Sequence, residues 1–540
     1  MKQSLINKNR ILAFILVLIT TVSVLCACTK NNGNDVVSMP LSTPVVHELA
    51  AGGGTLTMPM PINADISNPY TVDTEEMLNF FSLVYEGIVE ITEDNSIVPA
   101  LAENWSCDSD GKTWTFKLRK DVKWHFKDEA LDAYDIEYSI AKIRSYEGDS
   151  YYSYNVSKIE SVEVADKNTL KITMTEKGLL PLRCLDFPIV RNNAPLSGKP
   201  DGTGPYAFES SDEESVLLKV NENWWKQHPY IKNVKLIARD SNETALASFS
   251  AGQFNMVPTS AITAGRYRQE GVSNVLDVMT QDMEVLVVNH KNPILSDARV
   301  RQAIAYLIDR AEIISNVCMN RARACDVPIA PDSFIYDSKS KIYDHSVQEA
   351  ERLFKEALCL DTNGDMMLEK NGEDIKFNIL VCTSLDGTRA EAAKHISQQL
   401  LKAGIQSEIV NASYSTVSGG EFMEKLKNGE YDIALVGLNM ARDCDLSMYL
   451  EYGGECNYGS FYNRELAQLA QQMYNATDED ELKQKASAFE MKFAQELPFI
   501  VLYFRLNSIV YSDDIKEIGA VREPDLLRKI ENWYISASEN

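Results

Sequence analysis

The chain has 540 residues, a formal net charge of −25 at pH 7 and 45% hydrophobic residues. That length allows two or three domains with ample cores, and the hydrophobic share is ordinary for a globular protein. An acidic surface of this strength repels nucleic acid and anionic lipid headgroups, so we expect no nucleic-acid partner and disfavour a phosphate ligand.

The first residues of the chain have the composition of an export signal. Lys2, Lys8 and Arg10 precede an uncharged apolar run from Ile11 to Leu25. The run is short for a permanent membrane span but suits the central region of a signal peptide. The sequence therefore predicts export.

A cysteine motif follows the apolar run. Leu25-Cys26-Ala27-Cys28 places small residues directly before a cysteine and resembles the lipobox of bacterial lipoproteins, which is cut before the cysteine so that diacylglycerol remains on its sulfur. The resemblance implies a signal peptide at residues 1–27, lipidation of Cys28 and a chain anchored to the extracytoplasmic face of the cell membrane. An uncleaved anchor and ordinary secretory cleavage are the alternatives.

Residues 28–52 contain many Asn, Gly, Ser, Thr and Pro residues. We expect them to form a flexible tether, because such compositions favour an unstructured linker. No later stretch of the sequence is both uncharged and long enough to span a membrane.

Period-two patterns mark strands in the first half of the chain. Residues 113–126 alternate between apolar and polar side chains, first around Trp114 and Phe116 and again from Val122 onward. This alternation predicts half-buried strands. Residues 161–174 alternate on both sides of a polar turn and predict a hairpin.

The second half of the chain changes to helical periodicity mixed with apolar strands. Apolar residues share one face over 300–314, with Ser296 or Asp297 as the cap of the predicted helix. Strands and helices then alternate: strand 376–383, helix 389–403, strand 405–412, helix 421–428 and strand 431–438. This order predicts parallel strands with helices covering the sheet.

The carboxyl ends of these parallel strands give the first site hypothesis. Ligands of open parallel sheets bind beyond those ends, which here are residues 383–387 and 439–445. The aromatic cluster 150–154, which includes Tyr154, is a second stretch that can contact a ligand.

The sequence carries no enzyme signature that we recognise. GxSxG, HExxH, GxxxxGK[ST] and GxGxxG are all missing from the sequence, and these motifs place nucleophiles, metals or phosphates. Residues 361–365 resemble the start of a calcium loop, but Met366 and Gly372 stand where such a loop needs Gly and Glu, so a tight polar turn is favoured. We expect no enzyme, no cofactor and no metal site.

The cysteines beyond Cys28 show no zinc-ligand spacing. Export permits disulfides, and Cys318–Cys325 and Cys444–Cys456 are the closest pairs in sequence. Their scatter fits buried thiols equally well.

Several segments, taken together, resemble one family. The collinear segments are 85–126, 130–140, 202–208, 220–236, 300–314 and 497–504. They resemble family 5 of the bacterial extracellular solute-binding proteins, the peptide-binding receptors of ABC importers, from about Gly53 to the C-terminus.

The resemblance implies an α/β fold of the periplasmic-binding-protein-like, class II type, in which two lobes close around a ligand. It implies an extra subdomain inserted in lobe one. The implied divisions are lobe one at 53–87, 184–285 and 506–540, the subdomain at 88–183, and lobe two at 286–505.

The family holds peptides as extended strands through backbone pairing, and an aspartate commonly binds the free amino terminus. By resemblance the pairing strand is 281–292, ending in Asn289. The anchor follows the strand 431–438 in a pattern like W-x-x-D-x-x-D-P, from which this chain departs at Leu438 and Leu446.

The departure leaves the anchor position open between two neighbours. Asp443 is the favoured anchor, with Asp282 facing it as a second carboxylate, whereas Arg442 in that place would favour a ligand carboxylate. The candidate ligand-binding residues are Asp443, Asp282, Asn289, Asn439, Arg442, Asp445 and Tyr154.

The resemblance implies a monomeric receptor that captures short peptides and delivers them to the permease and ATPase subunits of an ABC importer. The alternatives are a non-peptide solute such as a nickel chelate or an oligosaccharide, a peptide-pheromone receptor, and an exported hydrolase.

Overall fold

The computed structural model describes residues 53–72, 74–384, 387–416 and 419–536. The predicted signal peptide, the tether and the lipidation site Cys28 lie outside the described residues. Within those ranges, no helix has the length and apolar character needed to cross a membrane.

Strands are spread over the whole described part of the chain. In chain order they are β1 (Thr55–Pro61), β2 (Val89–Ile91), β3 (Ile97–Pro99), β4 (Ala102–Cys107), β5 (Thr113–Leu118), β6 (Ile159–Asp166), β7 (Thr169–Met174), β8 (Tyr206–Ser211), β9 (Ser215–Val220), β10 (Asn233–Arg239), β11 (Met256–Thr259), β12 (Ser273–Val288), β13 (Ala322–Ala324), β14 (Glu369–Lys370), β15 (Glu373–Asp374), β16 (Lys376–Cys382), β17 (Gln406–Ala412), β18 (Ile433–Asn439), β19 (Phe499–Ser512), β20 (Ile515–Lys516) and β21 (Tyr534–Ile535).

Helices are concentrated in the second half. The α-helices are α1 (Glu75–Val84), α2 (Ala133–Arg144), α3 (Ser153–Ser157), α4 (Asn242–Ser250), α5 (Ala298–Leu307), α6 (Arg310–Asn316), α7 (Val347–Glu356), α8 (Gly387–Lys402), α9 (Gly420–Asn428), α10 (Ser447–Leu450), α11 (Arg464–Tyr474) and α12 (Glu479–Glu496). Short 3₁₀ turns cover Pro69–Thr71, Leu180–Leu185, Ala264–Tyr267, Ser338–Ser340 and Ile530–Asn532.

Two four-stranded sheets come from the first half of the chain. One has the order β1–β10–β9–β8, with β1 parallel to β10 and the other pairs antiparallel. The other has the antiparallel order β4–β5–β7–β6. The predicted strand at 113–118 and the predicted hairpin β6–β7 both belong to this second sheet, so these predictions are confirmed.

The second alternating stretch, residues 122–126, is not a strand. Its ladder is a single bridge between Lys123 and Ala130, and the backbone N–H of His125 bonds to the carbonyl of Gly202 at 2.9 Å. Val122 and Trp124 are buried from an irregular segment. Alternating burial alone produced the apparent strand pattern.

The largest sheet has the order β11–β19–β12–β18–β16–β17, with β13 added beside β19. β16 is parallel to both β17 and β18, which confirms the predicted β-α-β-α-β unit. The glycines that follow its helices, Gly404 and Gly429, have φ of +80° and +71°, the left-handed conformation of a helix C-cap.

The helix predicted over 300–314 is two helices, α5 and α6. Asp297 caps α5 as predicted, accepting from the N–H of Arg299. A second acid, Asp309, caps α6 by accepting from the N–H of Glu312 at 2.9 Å. The helix is interrupted between α5 and α6 because Asp309 acts as the N-cap of a new helix.

β12 and β19 are the two longest strands and pair with each other in antiparallel orientation. Their pairing register shifts between Met279 and Met283, where β12 has three residues opposite the single Arg505 of β19. The segment from Thr280 to Asp282 thus has two more residues than its partner, and it forms a bulge of the kind that redirects side chains beside binding sites.

Candidate ligand-binding cavity

A cavity of about 360 Å³ lies at the β12 bulge and the end of β18. Its walls include Glu75, Thr280, Asp282, Asn439, Arg442 and Glu523. These residues come from segments predicted for lobe one and for lobe two. Of the predicted site residues, the cavity therefore contains Asp282, Asn439 and Arg442.

The predicted carboxylate Asp282 is held at the cavity wall by its strand neighbours. Asp282 pairs with Asn439 across β12 and β18, and the Asn439 side-chain amide donates to its carboxylate at 2.7 Å. The hydroxyl of Thr280 accepts from the N–H of Asp282 at 3.1 Å and donates to the carbonyl of Arg505 at 3.0 Å. The bulge thereby fixes where this carboxylate lies.

Two further carboxyl groups line the same cavity. Glu75 begins α1 directly after its N-cap Thr74, and Glu523 accepts from the side-chain amide of Asn507 at 2.8 Å. Burial raises the pKa of Glu75 and, more strongly, that of Glu523, and the two side chains bond to each other. The pair therefore retains a proton above the ordinary carboxyl range, and with Asp282 it forms an acidic wall that suits a cation.

Two arginines, Arg442 and Arg522, line the cavity as basic groups. Arg442 donates to Asp186 at 2.6 Å and to the hydroxyl of Tyr151 at 3.3 Å. Arg522 donates to the other oxygen of Asp186 at 3.3 Å. Two guanidinium groups thus bond to one carboxylate, and Asp525 also interacts electrostatically with Arg522. This wall presents guanidinium groups to the cavity.

A smaller cavity of about 150 Å³ adjoins the first and shares Arg442 and Arg522 with it. It is lined by Glu86 and Glu90, among other charged groups. Glu86 accepts from the indole N–H groups of both Trp224 and Trp225, so this tryptophan pair is tied to the fold by a carboxylate of the chain.

The favoured anchor, Asp443, lies in a different place. It is 0% exposed and lines neither cavity. Its carboxylate accepts from the hydroxyl of Tyr154 at 2.8 Å and of Tyr474 at 2.5 Å. An ammonium does bind it, but that ammonium belongs to Lys158 of this chain, at 3.2 Å.

Lys158 also joins the predicted residue Asp445 to this cluster. The Lys158 ammonium donates to Asp445 at 2.8 Å. Burial raises the pKa of the Asp445 carboxyl, but hydrogen bonds from Lys158 and Ser447 outweigh burial and lower it overall. Asp443, Asp445 and Tyr154 thus form one group with Lys158, apart from the cavity.

Asn289 is not brought to either group. Its side-chain amide donates to the carbonyls of Gly429 and Tyr431, at 3.1 and 2.9 Å, and so ties the end of β12 to the start of β18. Asn289 lies seven positions after Asp282 along the chain, a span of about 23 Å in extended conformation. Its role as a ligand contact stays a prediction.

Sequence reasoning missed Glu75, Glu523, Arg522 and Lys158. Glu75 follows a helix cap, where acids are common for electrostatic reasons alone. Lys158 meets Asp445 across 287 residues of sequence. Neither fact carries a local sequence signal, so only the fold brings these residues together.

The segment 361–365 forms the tight polar turn that the sequence favoured. Asp361 accepts from the backbone N–H groups of Gly364 and Met366, and Asp365 and Glu369 lie close to it.

The cysteines among the described residues are all present as thiols, and six of the eight are buried.

A family model and related proteins match most of the length of this chain. The family described as "Bacterial extracellular solute-binding proteins, family 5 Middle" matches residues 96–460. The oligopeptide-binding protein AppA of Bacillus subtilis is 23% identical over 483 residues, covering 84% of this chain and 87% of that protein. The nickel-binding periplasmic protein of Escherichia coli is 24% identical over 391 residues, covering 69% and 74%.

The fold of this chain is similar to that of solved protein structures. That of HbpA2 from Haemophilus parasuis has a TM-score of 0.75 and 18% identity, covering 89% of this chain and 98% of that one. The predicted two-lobed α/β fold is confirmed by these likenesses.

Proposed function

This chain belongs to family 5 of the bacterial extracellular solute-binding proteins, and we propose that it captures short peptides in the 360 Å³ cavity and delivers them to an ABC importer. The family consists of substrate-binding components of transporters rather than enzymes. The proposal therefore concerns the identity of the cargo and the means of anchoring.

One observation carries the peptide proposal: the cavity has an acidic wall and a basic wall. Glu75, Asp282 and Glu523 line one part of it, and Arg442 and Arg522 line another. A peptide zwitterion carries one ammonium and one carboxylate, which these walls complement through charge-assisted hydrogen bonds. Side-chain amides such as Asn439 add partners for a peptide backbone.

The size of the cavity favours a short ligand. Small-molecule sites span about 300–1,000 Å³, and a cavity of about 360 Å³ stands at the low end of that range. We therefore propose dipeptides and tripeptides as the cargo. Asp282, supported by Asn439, is the proposed contact for the peptide ammonium, and Arg442 lies on the wall proposed for its carboxylate.

The division into lobes is part of the same proposal. The antiparallel sheet β4–β5–β7–β6 falls wholly inside the proposed subdomain 88–183, and the parallel unit β16–β17–β18 falls inside the proposed lobe two, 286–505. The cavity then lies between lobe one and lobe two, where closure buries a ligand.

The lipid anchor completes the proposal. The lipobox-like motif before Cys28 supports a monomer held at the extracytoplasmic face of the membrane, beside the permease and ATPase subunits of its importer.

A second candidate is a non-peptide solute, favoured by the similarity to the nickel-binding protein of Escherichia coli. Among the described residues that line the cavity there is no histidine or cysteine, so nickel would have to arrive as a chelate held by its organic part. Calorimetry separates the candidates: a pool of dipeptides and tripeptides releases heat on binding if the first holds. Heat from a nickel–histidine chelate alone favours the second.

A further inference from the structure

We infer that Lys158 is a specificity-determining residue, because its ammonium occupies the position on the Asp443 carboxylate that the amino group of a ligand would take. Asp443 therefore joins two parts of the fold and does not bind the amino group of a ligand. The inference deepens the proposed function and rests on it, because it states where a peptide ammonium is not bound.

The Asp443 carboxylate has no acceptor capacity left. One oxygen accepts from the hydroxyl of Tyr154 at 2.8 Å and from the N–H of Asp445 at 3.4 Å. The other accepts from the hydroxyl of Tyr474 at 2.5 Å and lies 3.2 Å from the Lys158 ammonium. An ionised carboxylate offers about four acceptor positions. All of them are used by this chain.

Lys158 is held as a bound ammonium would be held. Its side chain is 13% exposed and lies between two carboxylates, Asp443 and Asp445. Its ammonium is 4.9 Å from the ring centre of Tyr154 and 5.6 Å from that of Tyr474. Paired carboxylates with two aromatic faces are the surroundings that proteins use to bind cationic ligands.

Charge balance explains why the lysine is needed. A buried carboxylate without a positive partner is strongly destabilising, and Asp443 is fully buried. Burial lowers the pKa of Lys158, but the charges of Asp443 and Asp445 outweigh burial and raise it, so the side chain stays charged. The chain thus supplies internally the cation that a ligand would otherwise bring.

The backbone places Lys158 without help from a ligand. Lys158 is the C-cap of α3 and directly precedes β6. Its carbonyl accepts from the N–H of Thr175 at 2.8 Å, and the side-chain amide of Asn155 bonds to the carbonyl of Cys184 at 2.9 Å. The ammonium is therefore presented from a fixed turn, and a ligand amine must use the cavity carboxylates.

Chemical rescue tests the occupancy directly. In the full exported chain, Lys158→Ala removes the ammonium and leaves space for a small amine. We expect the melting temperature to fall, and propylammonium at millimolar concentration to recover at least half of the loss in the variant while leaving the wild type unchanged. Tetramethylammonium, which has charge but no N–H donors, should recover less. Lys167→Ala, at a lysine whose side chain is 79% exposed, is the matched control. Equal responses of Lys158→Ala and wild type to propylammonium overturn the inference.

A peptide titration tests the consequence for specificity. The probes are dialanine and N-acetyl-dialanine, which lacks the free amine. The readout is the dissociation constant of N-acetyl-dialanine divided by that of dialanine. This ratio reports how strongly the protein recognises the free amine even if overall affinity changes. Asp443→Asn should keep the wild-type ratio within threefold, whereas Asp282→Asn should lower it at least tenfold. Collapse of the ratio in Asp443→Asn overturns the inference. If the wild type binds neither probe, the peptide proposal fails, while the rescue experiment still decides the role of Lys158.

Discussion

At the scale of single residues, the molecule uses its charges in two separate groups. Asp443 and Asp445 are both paired with Lys158 of the same chain, whereas Asp282 and Glu523 line a cavity wall. The sequence analysis favoured Asp443 as the anchor, took Asp282 as a second carboxylate and missed Glu523. Their burial and partners distinguish them, which is why the sequence predicted Asp282 and Asp443 together but missed Lys158.

The protonated Glu75–Glu523 pair predicts a pH effect on binding. Because burial raises both pKa values above the ordinary 4.5, a proton stays on the pair as pH rises past that value. A ligand ammonium favours the ionised pair and so expels this proton, and affinity for dialanine should rise with pH through this window. Calorimetry near pH 6 in two buffers of different ionisation enthalpy counts the proton.

The control for proton release is Glu75→Gln, which removes one member of the pair. We expect proton release to decrease in this variant, because Glu523 stays buried but loses the neighbouring carboxyl group that also raises its pKa. The melting temperature at neutral pH should stay equal or rise, because a buried carboxyl is lost. Dialanine binding to the wild type without proton release would contradict the role given to the pair.

Cys28 carries a second residue-scale prediction. Changing Cys28→Ala removes the sulfur that accepts diacylglycerol in the proposed lipoprotein. The protein should move from the membrane fraction to the soluble fraction of the exported material, and the mass of its N-terminal peptide should lack the lipid. Ala27→Ser, which keeps a small residue before the cysteine, is the control and should stay membrane-bound. A wild-type N-terminus without lipid would contradict the anchor.

At the scale of elements, the bulge in β12 connects the sheet to the site. Three residues of β12 stand opposite the single Arg505, and the hydroxyl of Thr280 makes two of the bonds that hold them. The parallel unit β16–α8–β17–α9–β18 was predictable because its periodicity is local. The bulge was not, since it depends on register with a strand more than two hundred residues away.

Thr280→Val tests the bulge. Valine has nearly the same shape but leaves the carbonyl of Arg505 and the N–H of Asp282 without the hydroxyl, so we expect unfolding free energy to fall by about 1–3 kcal/mol. Dialanine binding should weaken as well, because Asp282 loses its support. Thr259→Val, at another buried threonine of the same sheet whose hydroxyl accepts from the N–H of Ala261, should lower stability without weakening binding. Equal effects of both variants on binding would contradict the role of the bulge.

At the scale of the whole molecule, ionic contacts join the proposed lobe two to the rest of the chain. Lys158 meets Asp443 and Asp445, and Arg442 meets Asp186. The resemblance to a known family predicted the two-lobed fold, because collinear segments report topology well. It could not predict these contacts, since each depends on side chains that the family pattern does not specify.

Loss of the lysine should open the molecule. In Lys158→Ala two ionic contacts between the proposed subdomain and lobe two disappear, so we expect the ligand-free radius of gyration to increase relative to wild type. Small-angle scattering measures this change, with Lys167→Ala again as the control. Identical scattering of wild type and Lys158→Ala would show that other contacts hold the lobes.

The identity of the cargo is the central claim, and native mass spectrometry of the exported protein, purified without denaturant, tests it most directly. The account predicts bound masses that match dipeptides and tripeptides and that disappear on mild acidification. Bound masses belonging only to metal chelates, sugars or other non-peptide solutes would contradict it.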